Sequence, residues 1–161
     1  MQLELESHSP EQTLAIGRAS GRRLSGGEVL GIAGDLGAGK TQLVRGLAQG
    51  LDIDPEVIYS PSFTLVAEYE GRLCLNHIDL FRLGEPLKPS EEEEIGLVDY
   101  LATEGVTAIE WYRKLAQPHD TWCLEIEIQV CEDERRKILL RGGGEAARTI
   151  LSALARGFPW H

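Results

Sequence analysis

The chain has 161 residues, 26 acidic against 16 basic side chains and a formal net charge of −10, with 42% hydrophobic and 26% charged residues. That length suits a single domain over residues 1–161 with a real core, and the acidic balance argues against tight direct binding to DNA or RNA. No apolar run is long enough to span a bilayer, and the acidic start lacks the basic and apolar regions of an export signal.

In chain order, Leu3 and Leu5 alternate with glutamates and predict a short opening strand. Ser9-Pro10-Glu11-Gln12 predicts a helix start, with Ser9 as cap and Pro10 at the first helical position, running to about Leu24 before Ser25-Gly26-Gly27. The apolar run Val29–Ala33 reads as a buried strand, followed by a helix ending near Gly50. After the break Ser60-Pro61-Ser62-Phe63, strands are predicted at Thr64–Glu68 and Leu73–Ile78 around the turn Glu70-Gly71. A loop with Gly84, Pro86 and Pro89 leads to a helix capped by Ser90, in which Glu91–Glu94 form a solvated first turn and Glu93 takes the capping-box position. Val106–Glu110 reads as a buried strand and Trp122–Val130 as a half-buried one, with Ile138–Leu140 as its neighbour and Gly144–Arg156 as a closing helix. Cys74, Cys123 and Cys131 lack metal-ligand spacing and read as mostly buried core residues of a protein in a reducing cytoplasm. Arg22-Arg23 and Arg135-Arg136 are local basic pairs that read as solvated surface.

The chemistry is concentrated at residues 34–41, Gly-Asp-Leu-Gly-Ala-Gly-Lys-Thr, a complete G-x-x-x-x-G-K-[ST] phosphate loop between a buried strand and a helix. Gly34, Gly37 and Gly39 let backbone N–H groups approach anionic oxygens, Lys40 adds positive charge at the β/γ-phosphates, and Thr41 offers a hydroxyl to Mg²⁺. Two carboxylates end apolar segments, Asp79 after Leu73–Ile78 and Glu110 after Val106–Ile109. Beside a phosphate loop, each is a candidate to hold a metal-bound water or an attacking hydroxyl. Ser60, Ser62 and Thr64 offer hydroxyls that could order around γ-phosphate and Mg²⁺, or could equally cap their own turn. His77 reads as a structural strand histidine, and Trp111 as core packing or a stacking platform. Alternating helices and strands indicate an α/β fold, with ligands gathered at the carboxyl ends of a mostly parallel sheet to which the strand pair at 64–78 adds antiparallel pairing.

Taken in order, these motifs resemble the TsaE family (also called YjeE), small bacterial ATPases of tRNA threonylcarbamoyladenosine biosynthesis. The resemblance covers nearly the whole chain. It is carried by Gly34–Thr41, Ser60–Tyr69 (SPSFTLVAEY) as a first switch segment, His77–Leu83 (HIDLFRL) as an Asp-containing metal-side motif, Glu94–Tyr100 as the following switch helix, and Glu110-Trp111. It implies a P-loop NTPase-type three-layer α/β/α domain that binds ATP and Mg²⁺. In that reading Gly34, Gly37, Ala38, Gly39, Lys40, Thr41 and Gln42 hold phosphates, Thr41 and Glu110 organise Mg²⁺, and Asp79 lies near the metal and γ-phosphate. Thr64 belongs to the switch, Glu11 and Thr13 lie near the adenine, and Arg135 approaches from the late strands. The implied activity is slow ATP hydrolysis that resets a TsaB–TsaD assembly, which transfers threonylcarbamoyl to N6 of adenosine 37 in tRNAs reading ANN codons. The tRNA would then be held through those partners. Ser62, Phe81 and Gln42 depart mildly from the family pattern, and the tail Phe158–His161 has no family role.

Competing readings are a small-molecule kinase using the same loop, a GTPase-type switch and a non-hydrolysing nucleotide-binding subunit. The kinase reading lacks an evident long lid, and no lysine sits in an [NT]-K-x-D guanine-reading element, so ATP is favoured over GTP.

Overall fold

The computed structural model describes residues 1–61, 63–115 and 122–158. Its elements in chain order are β1 (Gln2–Ser7), α1 (Pro10–Gly21), β2 (Val29–Gly34), α2 (Lys40–Gly50), β3 (Val66–Tyr69), β4 (Leu75–Asp79), α3 (Pro89–Ile95), α4 (Leu97–Leu101), β5 (Val106–Glu110), β6 (Trp122–Val130), β7 (Arg136–Gly142) and α5 (Gly144–Gly157). The strands form one seven-stranded sheet in the order β1-β7-β6-β2-β5-β4-β3. The central strands β6, β2, β5 and β4 are parallel, while β1–β7, β7–β6 and β3–β4 pair antiparallel. Ser62 and Pro159–His161 lie outside the described residues, so the expectations for that hydroxyl and for most of the tail do too; Phe158 packs partly buried against the core.

Strand alternation divides the interior into two layers. Leu30 and Ile32 of β2, Leu75 of β4, and Val106 and Ala108 of β5 face the helical layer of α1, α2 and α5, packing with Leu43, Val44, Leu47 and Ile150. Val29, Ala33, Ile78 and Ile109 face the opposite side, where they meet Leu97, Leu87 and Tyr112. Burying each such aliphatic side chain contributes roughly 1.5–3 kcal/mol. The same period-two rule puts His77, Asp79 and Glu110 on the α2 side, in step with Leu75 and Ala108.

The α1–α2 contact is unusually close for a reason absent from the hydrophobic pattern. Gly17 and Gly21 on α1 oppose Gly46 and Gly50 on α2, and a Cβ at Gly46 would sit 2.2 Å from the Leu14 carbonyl oxygen. Since the obstacle is backbone, it cannot rotate away. Gly46→Ala is therefore expected to lower stability by about 2–4 kcal/mol by prying the helices apart. Urea unfolding checks it, and an unshifted midpoint would contradict this helix contact.

Several boundaries differ from the sequence reading. The first helix ends at Gly21, and a tighter tail of Arg23 N–H to Ser20 and Leu24 N–H to Gly21 carries the chain to Leu24. The strand predicted from Thr64 starts at Val66 because Leu65 adopts a left-handed conformation, φ 67°, with its N–H on the Pro61 carbonyl. The helix expected to be capped by Ser90 begins at Pro89, and the Lys88 N–H donates to Glu91 Oε1 at 3.0 Å. Glu91, not Glu93, therefore closes that turn, as Pro at the first helical position requires. The following helix is separate, broken at Gly96 with φ 76°. Cys123 alone of the three cysteines is buried, and burial pushes its thiol up to about 11, whereas Cys74 and Cys131 are half-exposed.

Candidate functional site

The phosphate loop leaves β2 at its carboxyl end and enters α2 at Lys40. Gly37 has φ 79° with open space where a Cβ would project, and Gly39 caps α2 in the left-handed region at φ 110°. Those conformations strongly favour glycine. They leave the first N–H groups of α2 without side-chain caps, a ready seat for phosphate oxygens.

Lys40 is buried and folded back into the loop. Its Nζ donates to the carbonyls of Gly34 at 2.7 Å and Asp35 at 2.8 Å and lies 4.4 Å from the centre of the Trp111 ring. Burial lowers the Lys40 pKa from its ordinary value, and the charges of Glu110, Asp79 and Asp35 oppose that shift. A phosphate group reaching Nζ would add to the same favourable field.

Glu110 stands at the end of β5, the immediate parallel neighbour of β2, in register with Ile32 on one side and Asp79 on the other. The Thr41 hydroxyl donates to both Glu110 carboxylate oxygens at 3.2 Å. With its hydrogen directed at Glu110, the Thr41 oxygen has its lone pairs free to face a cation. Asp79 is engaged differently. Its Oδ1 accepts the Phe81 N–H at 2.9 Å, its Oδ2 accepts the Ser60 hydroxyl, and its own N–H donates to the Leu65 carbonyl. Asp79 thus fastens the Ser60–Leu65 segment to the end of β4.

These groups line a cleft of about 370 Å³ with Lys40, Thr41, Ser60, Asp79, Glu110 and Trp111 in its wall. Among the described residues, no three His, Cys, Asp or Glu side chains converge as a ready-made metal cage. The hydroxyl-plus-carboxylate set fits Mg²⁺, which keeps waters and phosphate oxygens in its shell and takes few protein ligands. A second cleft of about 580 Å³ lies across Gly37, Gly39 and Gln42, bounded by Ser9, Pro10, Thr13 and Arg136. The two clefts share the glycine loop as their common wall, one on its Lys40 side and one on its α1 side.

Of the sequence-derived candidates, Gly34, Gly37, Ala38, Gly39, Lys40, Thr41, Gln42, Asp79 and Glu110 gather around the loop, and Thr13 joins the second cleft. Gln42 Nε2 donates to the Pro10 carbonyl, tying α2 to the start of α1. Glu11 is exposed in the first turn of α1 and lines neither cleft. Arg135 is not at the loop; it pairs with Asp133 and Glu6, and its neighbour Arg136 donates from Nε to the Ala38 carbonyl at 2.9 Å. Thr64 is exposed, donates to the Val66 carbonyl, and lines a separate cleft against α3 with Phe63, Glu91 and Glu94. Trp111 is the addition that sequence left as a choice: its left-handed backbone, φ 62°, swings the ring over Lys40.

Residues 7–138 match the family model described as threonylcarbamoyl adenosine biosynthesis protein TsaE. The chain belongs to the TsaE family. The tRNA threonylcarbamoyladenosine biosynthesis protein TsaE of Bacillus subtilis is 34% identical over 156 residues, spanning 96% of this chain and 95% of its own. Its namesake from Treponema pallidum is 40% identical over 134 residues, 82% of this chain and 95% of its own. The crystal structure of Bacillus subtilis YdiB superposes with a TM-score of 0.73 at 32% identity, covering 97% of this chain and 95% of that one. The fold is therefore the α/β, P-loop NTPase-like one that the motif order implies. Among the described residues no helix is long and apolar enough to cross a membrane.

Proposed function

We propose that this TsaE-family chain is a weak Mg²⁺-dependent ATPase that serves tRNA threonylcarbamoyladenosine formation at adenosine 37, acting with TsaB–TsaD. The observation that carries the ATPase reading is the Thr41–Glu110 pair, a hydroxyl and a carboxylate joined at 3.2 Å between adjacent strand and helix ends beside Lys40. The names of the family and its relatives support the pathway.

In this reading α2 presents its first N–H groups to the phosphates, and Lys40 leaves the Gly34 and Asp35 carbonyls to meet the β/γ oxygens. Bound Mg²⁺ would neutralise charge on those oxygens and order a water. Thr41 offers its oxygen to the cation while its hydroxyl hydrogen stays hydrogen-bonded to Glu110, turned away from the metal. Asp79 holds Ser60 against the same cleft, so a change at the γ-phosphate would be felt by the Ser60–Leu65 segment. With a net charge of −10, the chain leaves most tRNA phosphate contacts to its partners.

The direct test is multi-turnover tRNA modification by purified TsaB–TsaD with a threonylcarbamoyl-adenylate donor, with and without this chain. Modification that continues past the first round only when the chain and ATP are present is the expected result. A phosphorylated small molecule formed without TsaB–TsaD would favour a kinase instead. Thr64, exposed and lining a cleft other than that of Lys40, tests the switch: Thr64→Ala is expected to leave ATP affinity within about twofold while lowering partner-stimulated turnover several-fold. Parallel calorimetry and ATPase assays decide it, and equal loss of both would argue against a switch role.

A further inference from the structure

His77 has no part in the scheme above, yet it is fully buried and its Nε2 lies 2.5 Å from Glu110 Oε2. Among the described residues its Nδ1 is a buried side-chain polar atom with no hydrogen-bond partner. Backbone geometry explains the reach. His77 pairs across the sheet with Ala108, and Asp79 pairs with Glu110, so the imidazole sits one pleat behind the carboxylate, next to a methyl that leaves it room to lean forward.

We propose that His77 is a positioning residue for Glu110, donating from Nε2–H to hold the carboxylate in the rotamer that accepts the Thr41 hydroxyl. This rests on the reading of Glu110 as the acid on the Mg²⁺ side. The orphaned Nδ1 selects the tautomer. A proton there would be a buried N–H with no acceptor, whereas a bare nitrogen leaves only a lone pair unmatched. The Nε2–H form is therefore the one this environment supports. Glu110 Oε2 receives His77 from the strand side, and Thr41 reaches both oxygens from the helix side. With His77 in place the carboxylate cannot swing away when the Thr41 oxygen turns to a cation. Hydrogen-bond partners that fix a metal-side carboxylate typically change metal affinity by about 10–100-fold.

Two substitutions separate positioning from packing. His77→Gln keeps an N–H donor near the place of Nε2, and His77→Leu removes the donor while filling the space. ATP affinity is measured by calorimetry in EDTA and in Mg²⁺ for each protein. His77→Leu is expected to lose about tenfold or more of the Mg²⁺-dependent gain in affinity with the EDTA value within about twofold of wild type, and His77→Gln to recover most of the gain. An intact Mg²⁺ gain in His77→Leu, or equal losses in both variants, overturns the proposal. Should His77→Leu not fold, two-bond ¹H–¹⁵N spectra of the nucleotide-free wild type decide it: a proton on Nε2 supports the proposal, and a bare Nε2 with the proton on Nδ1 overturns it. If wild type bound no ATP, the ATPase reading would fail, while the spectra would still report on the His77–Glu110 contact.

Discussion

Lys40→Ala is expected to weaken Mg·ATP binding by at least about 100-fold and to abolish measurable turnover. In the proposed ATP complex, two charge-assisted hydrogen bonds of roughly 1.5–3 kcal/mol each would pass from Nζ to phosphate oxygens, and about 1.4 kcal/mol corresponds to each tenfold. The side chain already sits in the loop, donating to Gly34 and Asp35, so binding redirects it without a large search through rotamers. Removing it also takes a positive charge from between Asp35, Asp79 and Glu110, which then repel an incoming triphosphate. The substitution deletes no contact in the aliphatic core, so far-ultraviolet circular dichroism should match wild type. Calorimetry with Mg·ATP and a steady-state ATPase assay read the effect; wild-type turnover in this variant would overturn the assignment of the loop.

Glu110→Ala is expected to keep the fold and lose about 100–1,000-fold of Mg²⁺-dependent hydrolysis, the usual scale for removing one organising group from a preorganised site. Its consequences are local and specific. Thr41 loses both carboxylate oxygens at 3.2 Å, so its hydroxyl proton is free to point toward the cation position. His77 is left with a buried N–H and no acceptor, which costs about 1–3 kcal/mol of stability. Glu110→Gln serves as control, because its amide oxygen can still accept one hydrogen bond in a side chain of the same size. Activity titrated against Mg²⁺ concentration, together with thermal unfolding, checks the prediction. An unchanged Mg²⁺-dependent rate in Glu110→Ala would show that another group, with Asp79 the nearest candidate, performs this task.

Much of the site was readable from the chain because it is written in short-range spacing. The eight residues of the loop are consecutive, and Asp79 and Glu110 each end an apolar run, which marks them as the carboxyl-end residues of two strands. Sheet order then made them neighbours, since β4 pairs with β5 and β5 with β2. What local pattern could not supply depended on long-range register. Nothing near His77 in sequence says that its ring will meet a carboxylate on another strand, and nothing near Trp111 says that its backbone will turn left-handed and lay the ring beside Lys40. Arg135 and Arg136 show the same limit at single-residue scale: one faces Glu6 and the other the phosphate loop, and only the start of β7 decides which. The glycine pairs of α1 and α2 were likewise invisible as a pattern, because each helix taken alone gains nothing from them. The strand predicted from Thr64 begins later for a comparable reason, since β-branched Thr64 favours extension while the turn at Leu65 is imposed by contacts to Pro61 and Asp79.

The proposed chemistry requires the first turn of α2 to grip a triphosphate. Isothermal titration of the folded wild-type chain with Mg·ATP, with Mg·GTP in a parallel run, tests this directly. The proposed ATPase function predicts a saturable heat for ATP at one site per chain, stronger than for GTP and diminished when EDTA replaces Mg²⁺. Folded protein that shows no saturable signal with ATP at millimolar concentration would contradict it.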